Sequence, residues 1–291
     1  MSPLLQIIKP YAVFRALWPN HHIAFALTPS CNQEHDRMQD RPTPADVFLS
    51  PHTDDICFSL GVLASQRGSG QLLTVFPRST YQVRALSLPQ ESSTIVTHKR
   101  ISEDSRFAQT CGLDALYLGF DDSSARGSQP FDPEPARALT ATIAPTVVAA
   151  LMGPLLGKSI QPKPLLACPV GIGGHVDHLA VCRVVIGHLQ QLELFYRVGF
   201  YEDLPYACEP TARMSGLQKL ASLLGERQLR RFVVPLDTVA QDLKLRLVSL
   251  YESQLTPRLR SLSGFTPAAS ATVAPHEAIW MLQPAMNQSS G

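Results

Sequence analysis

Short apolar runs alternate with amphipathic segments along most of this chain, and that alternation restricts the fold more than any other feature. Runs at 46–50, 71–76, 114–120, 164–171 and 194–203 have the length and apolar character of buried strands. Between them, 56–68, 98–112, 134–151 and 175–191 carry apolar residues at helical spacing, and two of these segments end on a glycine suited to a C-cap, Gly68 and Gly112. Strands separated by helices predict an α/β fold with a mostly parallel sheet. In such a sheet, functional groups gather in the loops beyond the carboxyl ends of the strands.

The 291 residues are 45% hydrophobic, enough for one large core. A polar stretch at 31–44 marks a boundary, dividing an N-terminal extension (1–44) from a catalytic domain (45–291). The tract at 263–275 reads as a flexible loop. With 25 basic and 24 acidic residues the net charge is +1, which predicts no nucleic-acid partner. No uninterrupted apolar run in the first 30 residues approaches the ~20 residues of a spanning helix, so no integral membrane segment is expected. None of the 6 cysteines lies in a C-x-x-C pair. They read as buried, reduced thiols, which favours a cytoplasmic setting.

Two polar clusters stand at strand-to-helix junctions. "VFLSPHTDDICFSLG" (47–61) places His52, Asp54 and Asp55 at the exit of an apolar run. "GIGGHVDH" (171–178) places His175, Asp177 and His178 after a glycine-rich turn. Charged groups at the end of a buried strand are costly unless something pairs with them. Catalytic zinc takes three protein ligands from His and Asp/Glu, and a divalent ion would neutralise these carboxylates. Taken singly, either cluster is also explained by acidic residues capping the helix that follows. Their joint occurrence at matching junctions favours a metal site.

The same residues carry a family resemblance. "SPHTDDICFSLG" resembles the P-H-P-D-D motif of the PIG-L-type, LmbE-like N-deacetylases, and "GIGGHVDHLAV" resembles their H-x-D-H motif. "RISEDSRFAQTCGLDALYLGFDDS" is similar to their R-x-x-E helix followed by L-G-x-x-D. "FYEDLPY" (200–206) resembles a Y-E-D-x-P-Y run of one bacterial branch, and "LKLRLVSLYESQL" (243–255) the late K…Y-x-S-Q helix. The resemblance implies a Rossmann-like three-layer sandwich holding one divalent ion, usually zinc. It implies hydrolysis of an N-acetyl group from a small amino sugar or glycoside by a zinc-activated water.

Carried over by position, the metal ligands are His52, Asp55 and His178. Asp54 is the general base, His175 polarises the amide carbonyl or stabilises the oxyanion, and Asp177 orients a histidine. Arg100, Asp122 and Glu202 are assigned to substrate. Arg100 reads equally well as a helix-surface residue paired with Glu103 or Asp104, Asp122 as a turn former, and Glu202 and Asp203 as solvated strand-end acids. The chain departs from the family at Thr53, where proline is usual, and at Ile56, where glutamate is usual. Two other readings stand beside the first: an amidase of the same fold acting on a non-sugar N-acyl metabolite, and a catalytically silent binding relative.

Overall fold

In the computed structural model, residues 12–13, 45–83, 91–256, 259, 261–268 and 274–283 are described. Most of the expected extension (1–44) and residues 269–273 of the expected loop lie outside them. The strands are β1 (Ala12–Val13), β2 (Val47–Ser50), β3 (Gly70–Thr74), β4 (Leu113–Tyr117), β5 (Leu165–Pro169), β6 (Arg197–Tyr201), β7 (Leu229–Pro235) and β8 (His276–Leu282). They form an 8-stranded sheet in the order β1-β7-β8-β6-β5-β2-β3-β4. Every pairing is parallel except those of β8, which runs antiparallel to both β6 and β7. The α/β fold with a mostly parallel sheet is thus present, and helices cover both faces.

The helices are α1 (Asp55–Arg67), α2 (Ser93–Cys111), α3 (Ala136–Met152), α4 (Val176–Gly187), α5 (Leu189–Leu192), α6 (Pro210–Leu224) and α7 (Thr238–Val248). Gly68 and Gly112 do cap α1 and α2, at φ 65° and φ 70°. A Cβ on Gly112 would collide with the Gly68 carbonyl, so the two caps can pack together only without side chains. Helix α2 starts at Ser93, earlier than its periodicity predicts. The Ser92 side chain accepts from the Ile95 amide and holds the β-branched first turn in helix. Helix α3 and the turn after it, Ala136–Leu155, are long and apolar enough to cross a membrane by length and composition. Here α3 lies along α4 and turns Ile143, Val147 and Leu151 into the core.

The chain crosses from β2 out to β3 and β4, then returns to lay β5 on the other side of β2. The carboxyl ends of β2 and β5 therefore flank the point where the strand order reverses, the usual ligand crevice of open α/β sheets. Both polar clusters sit there, one directly after β2 and the other after β5.

Helix α1 is broken at Leu60 (φ −135°, ψ 23°). A fully buried ion pair fills the break. Lys244 of α7 donates to the carbonyls of Cys57 (3.0 Å) and Phe58 (2.7 Å) and to Glu277 of β8 (2.6 Å). Glu277 accepts from the amides of Val62 and Leu63, each at 2.9 Å. The kink leaves these backbone groups without helical partners, and the pair satisfies them in kind. Ile56, by contrast, is simply core.

Candidate metal centre

The turn after β2 is closed by its own polar groups. Ser50 Oγ donates to the His52 carbonyl (2.5 Å), and Asp55 accepts from the His52 amide (2.7 Å). Asp54 makes no side-chain cap bond to α1, so capping does not account for it. After β5, Gly171 and Gly173 turn the chain at φ 85° and φ 86°. A Cβ on Gly173 would lie 2.6 Å from the Tyr206 ring. The loop ends in His175, whose Nδ1 accepts from the Asp177 amide (3.3 Å) and caps α4.

Three ligand-type groups converge. His52 Nδ1 lies 3.3 Å from His178 Nε2. The Asp55 carboxylate spans both, with Oδ2 at 3.4 Å from His52 Nδ1 and Oδ1 at 3.4 Å from His178 Nε2. Tetrahedral zinc with bonds of about 2.0–2.1 Å sets its ligand atoms about 3.3–3.4 Å apart, so these spacings fit a bound ion. The outer faces of both imidazoles meet carboxylates. His52 Nε2 donates to Asp177 (2.9 Å) and His178 Nδ1 to Asp203 (2.7 Å). Each ring is thereby oriented so that its other nitrogen, once deprotonated, would turn its lone pair toward the common point. His175 stands beside them, and the three buried histidines offer nitrogens within 4.8 Å of one another.

Those outer carboxylates are anchored in turn. Asp177 also accepts from the Ser123 amide (2.9 Å) and from Arg126 (2.5 Å). Of the two nearby imidazoles, the Asp177 carboxylate bonds His52 (2.9 Å), while His175 Nδ1 lies 4.0 Å away. Asp203 accepts from the amides of Gly171 and Ile172, each at 2.9 Å.

Charge balance points the same way. Burial opposes the imidazolium at His52, but Asp177 and Asp55 outweigh it and raise the ring to about 10. His178 is likewise raised against burial by Asp55 and Asp203. Burial opposes ionisation of Asp55 too, and the two histidines still hold it below the usual carboxylate range. Without a metal ion, protons on the imidazoles supply the positive charge that the carboxylates demand. His175 is the exception: burial and the neighbouring cationic rings depress it to about 2, so it is neutral.

A cavity of about 390 Å³ opens over these groups, lined on its polar side by His52, Asp54, Asp55, Arg100, Asp122 and His175. Phe58, Tyr81, Phe131 and Tyr206 supply its aromatic wall. Arg100 is buried and pairs with Asp54 at 3.0 Å, not with Glu103 or Asp104. Those two hold the turn at 251–254: Glu103 accepts from Ser253 N (2.8 Å) and Oγ (2.6 Å), and Asp104 from Tyr251 Oη (2.7 Å). Asp122 also forms its turn, accepting from Ser124 Oγ (2.6 Å) and the Ala125 amide (2.9 Å).

Glu202 departs from its expected place. It is fully buried away from the cavity, and its carboxylate accepts from Arg213 (2.6 and 2.9 Å), Arg231 (2.8 Å) and Trp280 (2.9 Å). Its neighbour Asp203 is the one that faces the site. Residues that sequence reasoning did not assign include Ser123, Arg126 and Gln254. Gln254, on the cavity wall, had a signal in the Y-x-S-Q motif; the other two had none.

With this site at the switch point of a mostly parallel sheet, the fold is that of solved deacetylase structures, and part of the chain is similar in sequence to one deacetylase. Over 173 residues it is 34% identical to 2'-N-acetylparomamine deacetylase of Streptomyces fradiae, an alignment covering 55% of this chain and 57% of that protein. The match thus spans little more than half the length of that curated relative. Among solved structures, the A40926 pseudoaglycone deacetylase Dbv21 superposes with a TM-score of 0.60 at 20% identity, covering 83% of this chain and 98% of that one. The zinc-inhibited form of teicoplanin deacetylase Orf2 gives 0.60 at 17% identity, with the same coverages of 83% and 98%. No family model matches the chain.

Proposed function

We propose that this chain is a metal-dependent hydrolase that removes an N-acetyl group from an amino sugar or glycoside, with zinc held by His52, Asp55 and His178. The observation that carries the reading is the convergence of these three groups, 3.3–3.4 Å apart, under an open cavity with Asp54 alongside. Zinc bound there would acidify a water molecule and polarise the amide carbonyl. Other divalent metals suit the same donors less specifically.

The residues divide the work. Asp54 removes the proton from the attacking water and returns it to the departing amine. Because His175 Nδ1 accepts from the Asp177 amide (3.3 Å), the neutral ring keeps its proton on Nε2. That N–H donates to the oxygen that gains negative charge as the amide becomes tetrahedral. Asp177 and Asp203 hold His52 and His178 in place. Arg100 and Asp122 face the substrate from the cavity wall. The relatives named for deacetylating 2'-N-acetylparomamine and an A40926 pseudoaglycone favour an amino sugar as the acylated group. The buried free cysteines (Cys57, Cys111, Cys168, Cys182) favour a cytoplasmic setting.

The test is metal analysis of the purified protein combined with amine release from a panel of N-acetylated sugars and non-sugar N-acyl amides. About one ion per chain is expected, with turnover confined to the sugars. Asp54→Asn should keep the ion and lose about 10²–10⁴ in kcat. A protein that binds no divalent ion, and stays inactive with added zinc, would sink the proposal.

A further inference from the structure

Thr53, one of the two departures from the family pattern, is buried between the metal-site residues and Arg100. Its Oγ1 accepts from Arg100 Nε at 3.1 Å. The same guanidinium donates from Nη1 to Ser79 Oγ (2.9 Å) and from Nη2 to Asp54 Oδ1 (3.0 Å). Asp122 Oδ2 stands 3.7 Å from Nη1. The fork is planar and rigid, so a bond at Nε sets the plane in which both terminal nitrogens lie. With Nε held by Thr53 and Nη1 by Ser79, Nη2 can reach only one place, and Asp54 occupies it. Proline at position 53 has no side-chain oxygen to offer Nε.

The geometry points to Thr53 as a positioning residue that locks the Arg100 guanidinium onto Asp54 and so fixes the aim of the base. Arg100 is then committed to Asp54 and not free to swing toward an anionic group of the substrate. The inference rests on the proposed function, in which Asp54 moves the proton. Thr53 touches no substrate; it acts through Arg100.

The experiment compares Thr53→Val, Thr53→Ala and Thr53→Ser in the metal-loaded full chain. Thr53→Val should lower kcat about tenfold with KM within about twofold, and Thr53→Ser should restore kcat to within about twofold of the parent. In an Asp54→Asn background, Thr53→Val should lower kcat no further, because the group it aims is gone. Thr53→Ala serves if the valine variant does not fold. A second readout needs no turnover: solvent exchange of the Arg100 Nε–H, followed by ¹⁵N NMR, should quicken about tenfold in Thr53→Val and recover in Thr53→Ser. Unchanged kcat in Thr53→Val, an equal loss in the Asp54→Asn background, or unchanged Nε–H exchange would each overturn the inference. If the parent protein turns over no amide while the Nε–H is protected as expected, the clamp stands and the deacetylase reading fails.

Discussion

Asp203 grips His178 and the loop that precedes it at the same time. One carboxylate oxygen accepts from His178 Nδ1 at 2.7 Å, and the other accepts from the amides of Gly171 and Ile172 at 2.9 Å. The segment after β6 thereby sets both the position of the turn after β5 and the orientation of a histidine in the candidate metal centre. Asp203→Asn can still accept from one partner but no longer holds the imidazole as a charged acceptor. Metal affinity is expected to fall about 10–100-fold, read by competition with a chromophoric chelator. Unchanged affinity would show that the ring orients itself.

Loading the site should release protons. His52 is raised to about 10 in the metal-free protein by Asp177 and Asp55 acting against burial, so at neutral pH it is protonated. A metal ion needs the neutral ring and must displace that proton. Affinity should therefore rise with pH up to about 10 and level off above it. Calorimetry at pH 7 in buffers of different ionisation enthalpy would measure proton release directly. A buffer-independent heat would contradict the charge balance described above.

Asp104 predicts a pH dependence of stability that does not involve metal binding. Burial raises its carboxyl from 3.8 to about 8, although Tyr251 and Thr74 donate to it. The folded state therefore holds a proton that the unfolded chain releases near 3.8. The stability this contributes is fully present below that value and is lost as pH rises toward about 8. In denaturant titrations between pH 4 and 8, the parent minus Asp104→Asn difference should slope downward with pH. A flat difference would mean that Asp104 is ionised in its burial site.

The ion pair in the break of α1 should be costly to halve. Lys244→Met leaves Glu277 buried without its cation and two carbonyls, Cys57 and Phe58, without donors. A loss of about 3–5 kcal/mol is expected by equilibrium unfolding. A loss below about 1 kcal/mol would mean that water replaces the ammonium, since an unmet buried group costs at least that much.

Much of the fold was legible because its signals are local. Strands buried on both faces read as plain apolar runs, and β2, β3, β5 and β6 were found that way; β4, an edge strand with Asp114, Ala115 and Leu116 exposed, was found from its apolar run alone. Strand β8 was not, although all seven of its residues, His276–Leu282, are buried. His276 and Glu277 interrupt its apolar pattern, and what makes them tolerable is Arg231 on β7 and Lys244 on α7, partners distant in sequence.

The site divides along the same line. Chemistry-bearing side chains were marked by type and spacing: His52, Asp54 and Asp55 after one strand, His175, Asp177 and His178 after another. Local sequence determined those clusters, because each is a short turn following its own strand. Only the tertiary structure decided that β5 lies against β2, which brings His178 Nε2 to 3.3 Å from His52 Nδ1. It also decided between Glu202 and Asp203. Consecutive residues of an extended chain point to opposite faces, and nothing in "FYEDLPY" says which face holds the metal site. Packing turned Asp203 toward His178 and left Glu202 to Arg213, Arg231 and Trp280. A side chain's chemistry is carried by its own residue, whereas its partner is chosen by strand order and packing, which exist only once the chain has folded.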